Sequence, residues 1–256
     1  MSNAVTYRVE IRDVHKAYRV NGQRMEALAG VSLRAAAGTF VTIIGPSGCG
    51  KSTLFSIICG LQQPDRGEIY FDRVLVAERT GMVGYMPQRD LLMPWRRVLD
   101  NVILGPEVHG EDLDTARSEA REMLPLFGLE GFANSYPAAL SGGMRQRAAL
   151  LRTFLCRKDV MLLDEPFGAL DAITRNALQE WLLQVWERFR YTILFVTHDV
   201  EEAAFLSDYV HVLTPRPARV RAEMAIPLPR PRRREMTLTP EFAALKQRLL
   251  DALATD

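Results

Sequence analysis

The sequence has 256 residues, 48% of them hydrophobic, which is enough to bury the core of one large α/β domain or two modest ones. Its 32 basic and 31 acidic side chains give a net charge of +1, so composition provides no argument for a nucleic-acid partner. Three scattered cysteines favour a reducing compartment over a disulfide framework. No apolar run approaches the ~18 residues of a membrane span, and residues 1–10 lack an apolar signal core, so we expect a soluble, cytoplasmic protein.

The chain opens with strand patterns. Residues 7–18 alternate loosely, Asn21-Gly22 is a hairpin signal, and residues 28–35 resume strand character. With the strand at residues 40–44 they give three early strands before any helix, which predicts an antiparallel β layer beside the main core. Tyr18 offers a ring that suits stacking on an adenine base, or it is an ordinary core or edge tyrosine.

The strongest motif is GPSGCGKST at residues 45–53, between a β-branched strand at 40–44 and a helix at 52–59. It fits the phosphate-loop pattern, in which glycines let the backbone wrap closely and a helix directs its positive end inward. The lysine adds a cation for the outer phosphates, and the serine hydroxyl can bind Mg²⁺. The residues expected to hold a nucleoside triphosphate are Gly45, Pro46, Ser47, Gly48, Cys49, Gly50, Lys51, Ser52 and Thr53.

Short strands are predicted at 68–71 and 81–86, and the second ends at Pro87-Gln88. An irregular segment follows at residues 89–97, with large apolar side chains around Pro94. Such a segment is either a contact surface or a loop folded onto its own core. Its apolar residues are Leu91, Leu92, Met93 and Trp95.

The middle of the chain is helical in pattern. Residues 98–105 predict a short helix, and apolar spacing from Leu113 predicts a longer one that Pro125 should end or kink. Ser141 is a good cap for a further helix, which Gly142 and Gly143 open. The bare N–H groups there form either an anion site or simply a capped helix start.

Two further strand ends carry polar side chains. A buried strand at 160–163 ends in Asp164 and Glu165, at the edge of a parallel sheet where ligands bind. Asp164 suits a Mg²⁺-linked role, and Glu165 suits activating or orienting water. A strand at 192–196 ends near His198. A lone histidine is more often structural, but here three strand ends converge on one edge.

The last part reads as a strand at 209–213, peripheral strand and turn at 215–226, and an amphipathic helix at 240–253. Residues 227–234 hold three prolines and predict an extended linker. Its basic side chains either contact anionic lipid or are simply solvated. They are Arg230, Arg232, Arg233 and Arg234.

In this order and spacing, the motifs resemble those of the ATP-binding subunits of ABC transporters over almost the whole chain. Tyr18 matches the adenine-stacking aromatic, residues 45–53 match the Walker A loop, and Gln88 matches the Q-loop. Residues 140–146 match the signature motif, and residues 160–166 match Walker B with its adjoining glutamate. Residues 169–171, which end at Asp171, match the D-loop, and His198 matches the switch histidine. One departure is Met144, where the general signature has Gln. It follows the glycines, so phosphate contact should persist.

The resemblance implies an α/β fold: a P-loop NTPase core with a mostly parallel sheet, an antiparallel β subdomain and a helical signature subdomain. It divides a single domain, residues 1–256, into a core at about 1–90 and 158–226, a helical subdomain at about 91–157, and a linker with a C-terminal helix at about 227–256.

The resemblance also implies a mechanism that uses ATP and Mg²⁺. Two copies bind two ATP molecules head to tail, each held by Lys51 of one copy and by Ser141 and Gly143 of the other. Mg²⁺ is bound by Ser52 and Gln88, with Asp164 reaching it through water. Glu165 then polarises the attacking water, and His198 contacts the γ-phosphate.

Residues 86–105, the Pro-Arg-Pro stretch at 215–217 and the tail after it most resemble an import subgroup that serves nitrate, taurine, other sulfonates and thiamine pyrimidine precursors. The implied partners are transmembrane permease subunits, which dock near Gln88 and residues 91–95, and indirectly a solute-binding protein. The implied place is the cytoplasmic face of the inner membrane. The alternative is a soluble ABC ATPase not coupled to transport, which usually carries two nucleotide domains or a long coiled coil; this chain has one phosphate loop and no sustained heptads.

Overall fold

The computed structural model describes residues 6–168 and 170–254, so Ala169 of the expected D-loop lies outside the described residues. Two sheets and a set of helices fill these ranges. The strands are β1 (Tyr7–Val20), β2 (Gln23–Ala36), β3 (Phe40–Ile44), β4 (Arg66–Phe71), β5 (Val74–Leu75), β6 (Gly84–Met86), β7 (Val160–Asp164), β8 (Thr192–Val196), β9 (Tyr209–Leu213) and β10 (Val220–Ala225). The helices are α1 (Lys51–Ile58), α2 (Val98–Val102), α3 (Leu104–Val108), α4 (Leu113–Met123), α5 (Gly142–Leu155), α6 (Ala172–Phe189), α7 (Val200–Leu206) and α8 (Pro240–Ala254).

A four-stranded antiparallel sheet has the order β2-β1-β4-β5. The predicted hairpin is confirmed: Asn21 and Gly22 join β1 to β2 with φ of 51° and 80°. Positive φ at both positions is the type I′ geometry whose twist matches that of the flanking strands. The expected β layer is therefore present, but only the first two of the three early strands belong to it: β3 lies in the other sheet, and β4 and β5 complete the layer.

The second sheet has the order β10-β9-β3-β8-β7-β6, and its five strands from β9 to β6 run parallel. Every residue of β3, β7 and β8 is buried, because both faces of the sheet are covered. In a parallel sheet all the carboxyl ends lie at one edge. The residues that follow β3, β6, β7, β8 and β9 therefore meet there.

Helix starts differ in a way that matters for that edge. Helices α4 to α7 each begin with a side chain that accepts a hydrogen bond from the first turn, donated by backbone N–H groups. Helix α1 begins after Gly50 with no side-chain cap. The N–H groups of its first turn are therefore left for another acceptor.

Two boundaries differ from the sequence prediction, and a third agrees with it. The helix expected at 98–105 is two short helices, α2 and α3, that share Ile103 as a boundary. The strand expected at 81–86 is confined to Gly84–Met86, because Gly81 has φ of 78° and belongs to a turn. Helix α4 ends at Met123, as Pro125 predicted.

The expectation of a solvated basic run at residues 227–234 is wrong for Arg232. Its side chain is 6% exposed. Its guanidinium donates to the carbonyls of Ala204 and Phe205 at the end of α7, at 3.3 and 2.9 Å. Arg230 likewise pairs with Asp208 at 2.8 Å. The segment is thus bound to the body of the protein, because arginine side chains can satisfy helix-end carbonyls.

No helix among residues 6–168 and 170–254 combines the length and the apolar character needed to cross a lipid bilayer.

Candidate functional site

The loop at residues 45–53, which we call the phosphate loop, joins β3 to α1. Gly50 has φ of 129°, and a Cβ there would lie 2.9 Å from Leu28 Cδ2 and 3.1 Å from Ala27 O. Only glycine therefore allows the loop to lie this close to β2. Lys51 is 6% exposed, and its Nζ donates to Gly45 O at 2.8 Å and Pro46 O at 3.1 Å. The loop thus curves around its own cation.

Gln88 and His198, each predicted from a different strand end, both approach the carboxylate of Glu165. Glu165 follows β7 directly, and its Oε2 accepts a hydrogen bond from Gln88 Nε2 at 3.1 Å. The same oxygen lies 3.4 Å from His198 Nδ1. Glu165 also has φ of 47°, a sparsely populated conformation for this residue type that is typical of functional sites. The sequence prediction that the strand ends carrying Glu165 and His198 converge is confirmed; Gln88, which only the family resemblance linked to the site, lies there as well.

Asp164 and Ser52 meet at the base of the phosphate loop. Asp164 ends β7 and is 3% exposed. Burial raises the pKa of its carboxyl, while hydrogen bonding with Ser52 and the charge of Lys51 oppose that rise. A carboxylate beside a hydroxyl is a donor set that suits Mg²⁺. Among the described residues no group of three or more His, Cys, Asp or Glu side chains could hold a metal ion.

A pocket of about 330 Å³ opens above these residues. Tyr18 lies beside it: its hydroxyl donates to Gln62 Oε1 at 2.6 Å and is 3.5 Å from Thr53 Oγ1. The pocket is lined by Ser47, Gly48, Gly50, Lys51, Ser52, Thr53, Gln88, Glu165 and Arg216.

The signature residues form a separate group that does not line this pocket. Ser141 caps α5 by accepting from Met144 N at 3.3 Å, and Asp171 caps α6 by accepting from Ile173 N and Thr174 N. A Cβ at Gly143 would lie 2.8 Å from Thr174 Cγ2, so this glycine lets the two helix starts pack closely. Gly142 is exposed beside Ser141. Within one chain the structure therefore leaves these residues away from the phosphate loop.

Arg216 is a pocket residue that the sequence reasoning missed. Its Nη2 donates to Gly48 O at 2.6 Å, and its Nη1 lies 3.1 Å from Met25 Sδ. It follows β9, the parallel neighbour of β3. The rule that identified the other strand ends applies to it only once β9 is known to pair with β3, and the sequence analysis interprets residues 215–226 as peripheral.

Glu202 is a second residue that the sequence reasoning passed over. It is 5% exposed, and burial raises the pKa of its carboxyl. Its Oε2 accepts from Thr197 Oγ1 at 2.6 Å, and its Oε1 accepts from Gln179 Nε2 at 2.9 Å. Because Thr197 precedes His198 directly, this buried carboxyl supports the turn that presents the histidine.

The segment after Gln88 divides into a buried and an exposed part. Leu92 is 8% exposed, whereas Trp95 is 73% exposed. Helix α5 holds its backbone, because Arg152 donates to Asp90 O at 2.6 Å and to Leu91 O at 2.8 Å. Neither alternative from the sequence describes the whole segment: one apolar side chain packs inward, and another faces solvent.

A glycine-rich loop between a buried strand and a helix, with an enclosed lysine and an aspartate at the end of another strand of the same parallel sheet, defines a P-loop nucleotide-binding protein. The ABC transporter family matches residues 28–168. The chain is 45% identical to the formylaminopyrimidine import ATP-binding protein ThiZ of Halalkalibacterium halodurans, with 77% of each chain covered. It is 39% identical to the taurine import ATP-binding protein TauB of Pseudomonas aeruginosa, with 95% of each covered.

Solved structures agree. The dimeric structure of MJ0796, described as a bacterial ABC transporter cassette, superposes with a TM-score of 0.76 at 32% identity, covering 85% of this chain and 98% of that one. A post-hydrolysis structure of the same cassette, bound to ADP and Pi, gives a TM-score of 0.75. The chain belongs to the ABC transporter family. The family resemblance, the α/β P-loop NTPase fold and the assignment as an ABC-type ATPase are thereby confirmed.

Proposed function

We propose that this chain is the ATP-binding and ATP-hydrolysing subunit that powers solute import by a membrane ABC transporter. The observation that carries the proposal is the meeting of four parallel strand ends around Glu165. The phosphate loop, Gln88 and Glu165 line one pocket, and His198 Nδ1 lies 3.4 Å from Glu165 Oε2. This is the constellation that phosphoryl transfer to water requires: a phosphate cradle and groups to orient the nucleophile.

The solute class follows from the relatives. Their names describe the import of formylaminopyrimidine and taurine. Together with the resemblance of residues 86–105 to the import subgroup, they favour a nitrate, a sulfonate such as taurine, or a thiamine pyrimidine precursor. Solute choice itself resides in a solute-binding protein and in the permease.

Nucleotide binding is assigned to the loop and its neighbours. The N–H groups of the phosphate loop and of the first turn of α1 would donate to the phosphates, and Lys51 would exchange its carbonyl partners for phosphate oxygens. Tyr18 would stack on adenine. Ser52 Oγ, the Gln88 amide oxygen and, through water, Asp164 would hold Mg²⁺, which when bound neutralises phosphate charge.

We assign the hydrolysis step to the carboxylate of Glu165, which both Gln88 and His198 approach. Glu165 Oε2 would accept a hydrogen bond from the attacking water and orient it. His198, which lies 3.4 Å from that oxygen, would donate to the γ-phosphate. Gln88 holds Glu165 in the observed position, so its turn towards a metal would release the carboxylate for its task.

The signature residues and Asp171 of the D-loop would act on a second copy. Ser141, Gly142, Gly143 and Asp171 lie outside their own chain's pocket, yet they include a capped helix start with exposed donors. A head-to-tail dimer would bring them to the partner's nucleotide. We place the membrane subunits against residues 91–95, where Trp95 is exposed, at the cytoplasmic face of the membrane. The helical subdomain at about 91–157 would carry both surfaces.

Replacing Glu165 tests this function. In Glu165→Gln, kcat for ATP hydrolysis should fall by about 10²- to 10⁴-fold, because the general base is lost. ATP affinity should persist, and ATP should trap a dimer visible by size-exclusion chromatography. The matched control is Glu130→Gln, an exposed carboxylate in the helical region. Normal turnover in Glu165→Gln would remove this residue from its role, and a parent protein without ATP affinity would overturn the function as a whole.

A further inference from the structure

The turn at residues 214–219 is held in place beside the pocket by hydrogen bonds. Thr214 N donates to Arg219 O, and Arg219 N donates to Thr214 Oγ1, each at 3.0 Å. Ala218 exchanges two hydrogen bonds of 2.9 Å with Ala27 and Ala29 of β2. The turn is thus closed on itself and fastened to the strand that underlies Gly50, so Arg216 projects from a fixed base.

The sheet puts this base next to the phosphate loop. Strands β3 and β9 are parallel, with Ile44 paired to Val212. Leu213 O lies 3.2 Å from the position of a Cβ at Gly45. Arg216 thus follows the carboxyl end of β9, as His198 follows that of β8 and Glu165 follows that of β7.

The hydrogen-bond partners of Arg216 are unequal. Nη2 donates to Gly48 O, a good acceptor, at 2.6 Å. Nη1 faces Met25 Sδ at 3.1 Å, and a thioether is a weak acceptor. Because phosphate oxygens accept strong, charge-assisted bonds from guanidinium, a phosphate is a far better partner for Nη1 than the sulfur.

Charge in the pocket points the same way. Of the side chains that line it, Lys51 and Arg216 are cationic and Glu165 is anionic. Without Arg216 the lining would be neutral; with it the sum is +1. Met25 pairs with Tyr18 across β1 and β2, so the Arg216 guanidinium lies between the strand pair that carries the proposed adenine residue and Gly48 of the phosphate loop.

We propose that Arg216 is a further nucleotide-binding residue, whose guanidinium donates from Nη1 to a phosphate oxygen of the nucleotide while Nη2 keeps its bond to Gly48 O. The proposal rests on the proposed function, because it assumes a nucleotide in this pocket. It adds a second side-chain cation to Lys51, supplied by the strand β9 rather than by the loop itself.

The test is equilibrium titration of the full chain with a fluorescent ATP analogue and with ADP. Arg216→Ala should raise Kd about five- to tenfold, since one charge-assisted bond at an exposed site is lost. Arg216→Lys should recover part of the affinity, because it keeps the charge but not the planar fork. High salt should shrink the difference between parent and Arg216→Ala, because exposed charge contacts are screened. Arg219→Ala is the matched control, an exposed arginine of the same turn.

Two results would overturn the proposal. In one, Arg216→Ala binds both nucleotides as the Arg219→Ala control does. In the other, Arg216→Ala loses several degrees of Tm without nucleotide and Arg216→Lys recovers no affinity, which would make the side chain only a brace for the loop. Failure of the proposed function is distinguishable, because then the parent protein itself would show no titration and Lys51→Ala would change nothing.

Discussion

Two cations in this molecule look alike locally and differ in what surrounds them. Lys51 and Arg232 are each 6% exposed. Both donate to backbone carbonyls, Lys51 to Gly45 and Pro46, and Arg232 to Ala204 and Phe205. They border cavities of similar volume, about 330 and 350 Å³. Burial, bonding and cavity size therefore do not separate a ligand site from a structural junction.

Charge balance and helix ends do separate them. The cavity beside Arg232 is lined by three arginines and three glutamates, so its side chains sum to zero: Arg232, Arg233, Arg234, Glu180, Glu187 and Glu235. The pocket beside Lys51 sums to +1 and includes the uncapped start of α1. A polyanion is favoured only in the second. Burial lowers the pKa of Arg232 to about 9, which still leaves it protonated at neutral pH, where it clamps the tail to α7.

The largest expected effect is on the nucleotide side. Lys51→Ala should weaken ATP binding about 100-fold, since the triphosphate loses its enclosed cation. It should lower Tm less than Arg232→Ala does, because the bond of Lys51 to Pro46 O is only partly buried, whereas both carbonyl bonds of Arg232 are buried. Direct titration and thermal unfolding of the same sample measure both. If Lys51→Ala and the parent protein bound ATP equally well, Lys51 would not be a nucleotide-binding cation, and its contrast with Arg232 would be wrong.

The contrast between the nucleotide site and the structural junction becomes sharper if some of the groups that donate hydrogen bonds to the phosphates belong to a second copy of the chain. Ser141→Arg should leave the subunit folded and able to bind ATP, yet hydrolysis should fall by about 100-fold because the signature serves the partner's nucleotide. Mixing Ser141→Arg with Lys51→Ala subunits would create one intact composite site per dimer. If ATP does not induce dimers in the mixture although both variants fold on their own, the shared-site proposal is wrong.

The structural cation should show the opposite pattern to Lys51. Arg232→Ala should lower the free energy of unfolding by about 2–3 kcal/mol, since buried carbonyls at the end of α7 lose their partner. ATP affinity below the transition should stay unchanged. Arg233→Ala, an exposed neighbour, should cost less than about 0.5 kcal/mol in the same denaturant titration. A stable Arg232→Ala protein with weakened ATP binding would reverse the two roles.

The smallest effect on stability is expected at Trp95. Because it is 73% exposed, Trp95→Ala should change the free energy of unfolding by less than about 0.5 kcal/mol and spare soluble ATPase activity, while uncoupling uptake in the assembled transporter. Trp186, at 1% exposed, is the buried control, and its replacement by Ala should cost about 3–5 kcal/mol. A fall in Tm at Trp95 comparable to that at Trp186 would make it a core residue.

Sequence reasoning found the parts of the site that obey local rules. The phosphate loop has a distinctive pattern, and polar residues at the ends of buried strands had to meet at one edge of a parallel sheet, as Glu165 and His198 do. Gln88, which contacts Glu165, was linked to the site only by the family resemblance. The burial of Arg232 could not be predicted, because an arginine that satisfies distant carbonyls has the same sequence pattern as a solvated one. Arg216 was missed although β9 was recognised, since its pairing beside β3 is a long-range property.

The segment that follows Gln88 is fastened to two elements at once. Its first residues follow β6 and are also held by Arg145, which pairs with Asp90 at 3.2 Å, and by Arg152, which donates to the carbonyls of Asp90 and Leu91. Both arginines belong to α5, whose start carries Ser141. Under the proposed function, Gln88 would sense the chain's own nucleotide and α5 would sense the partner's. The exposed Trp95 would then act as a coincidence detector, drawn into place only when both nucleotides of the pair are present.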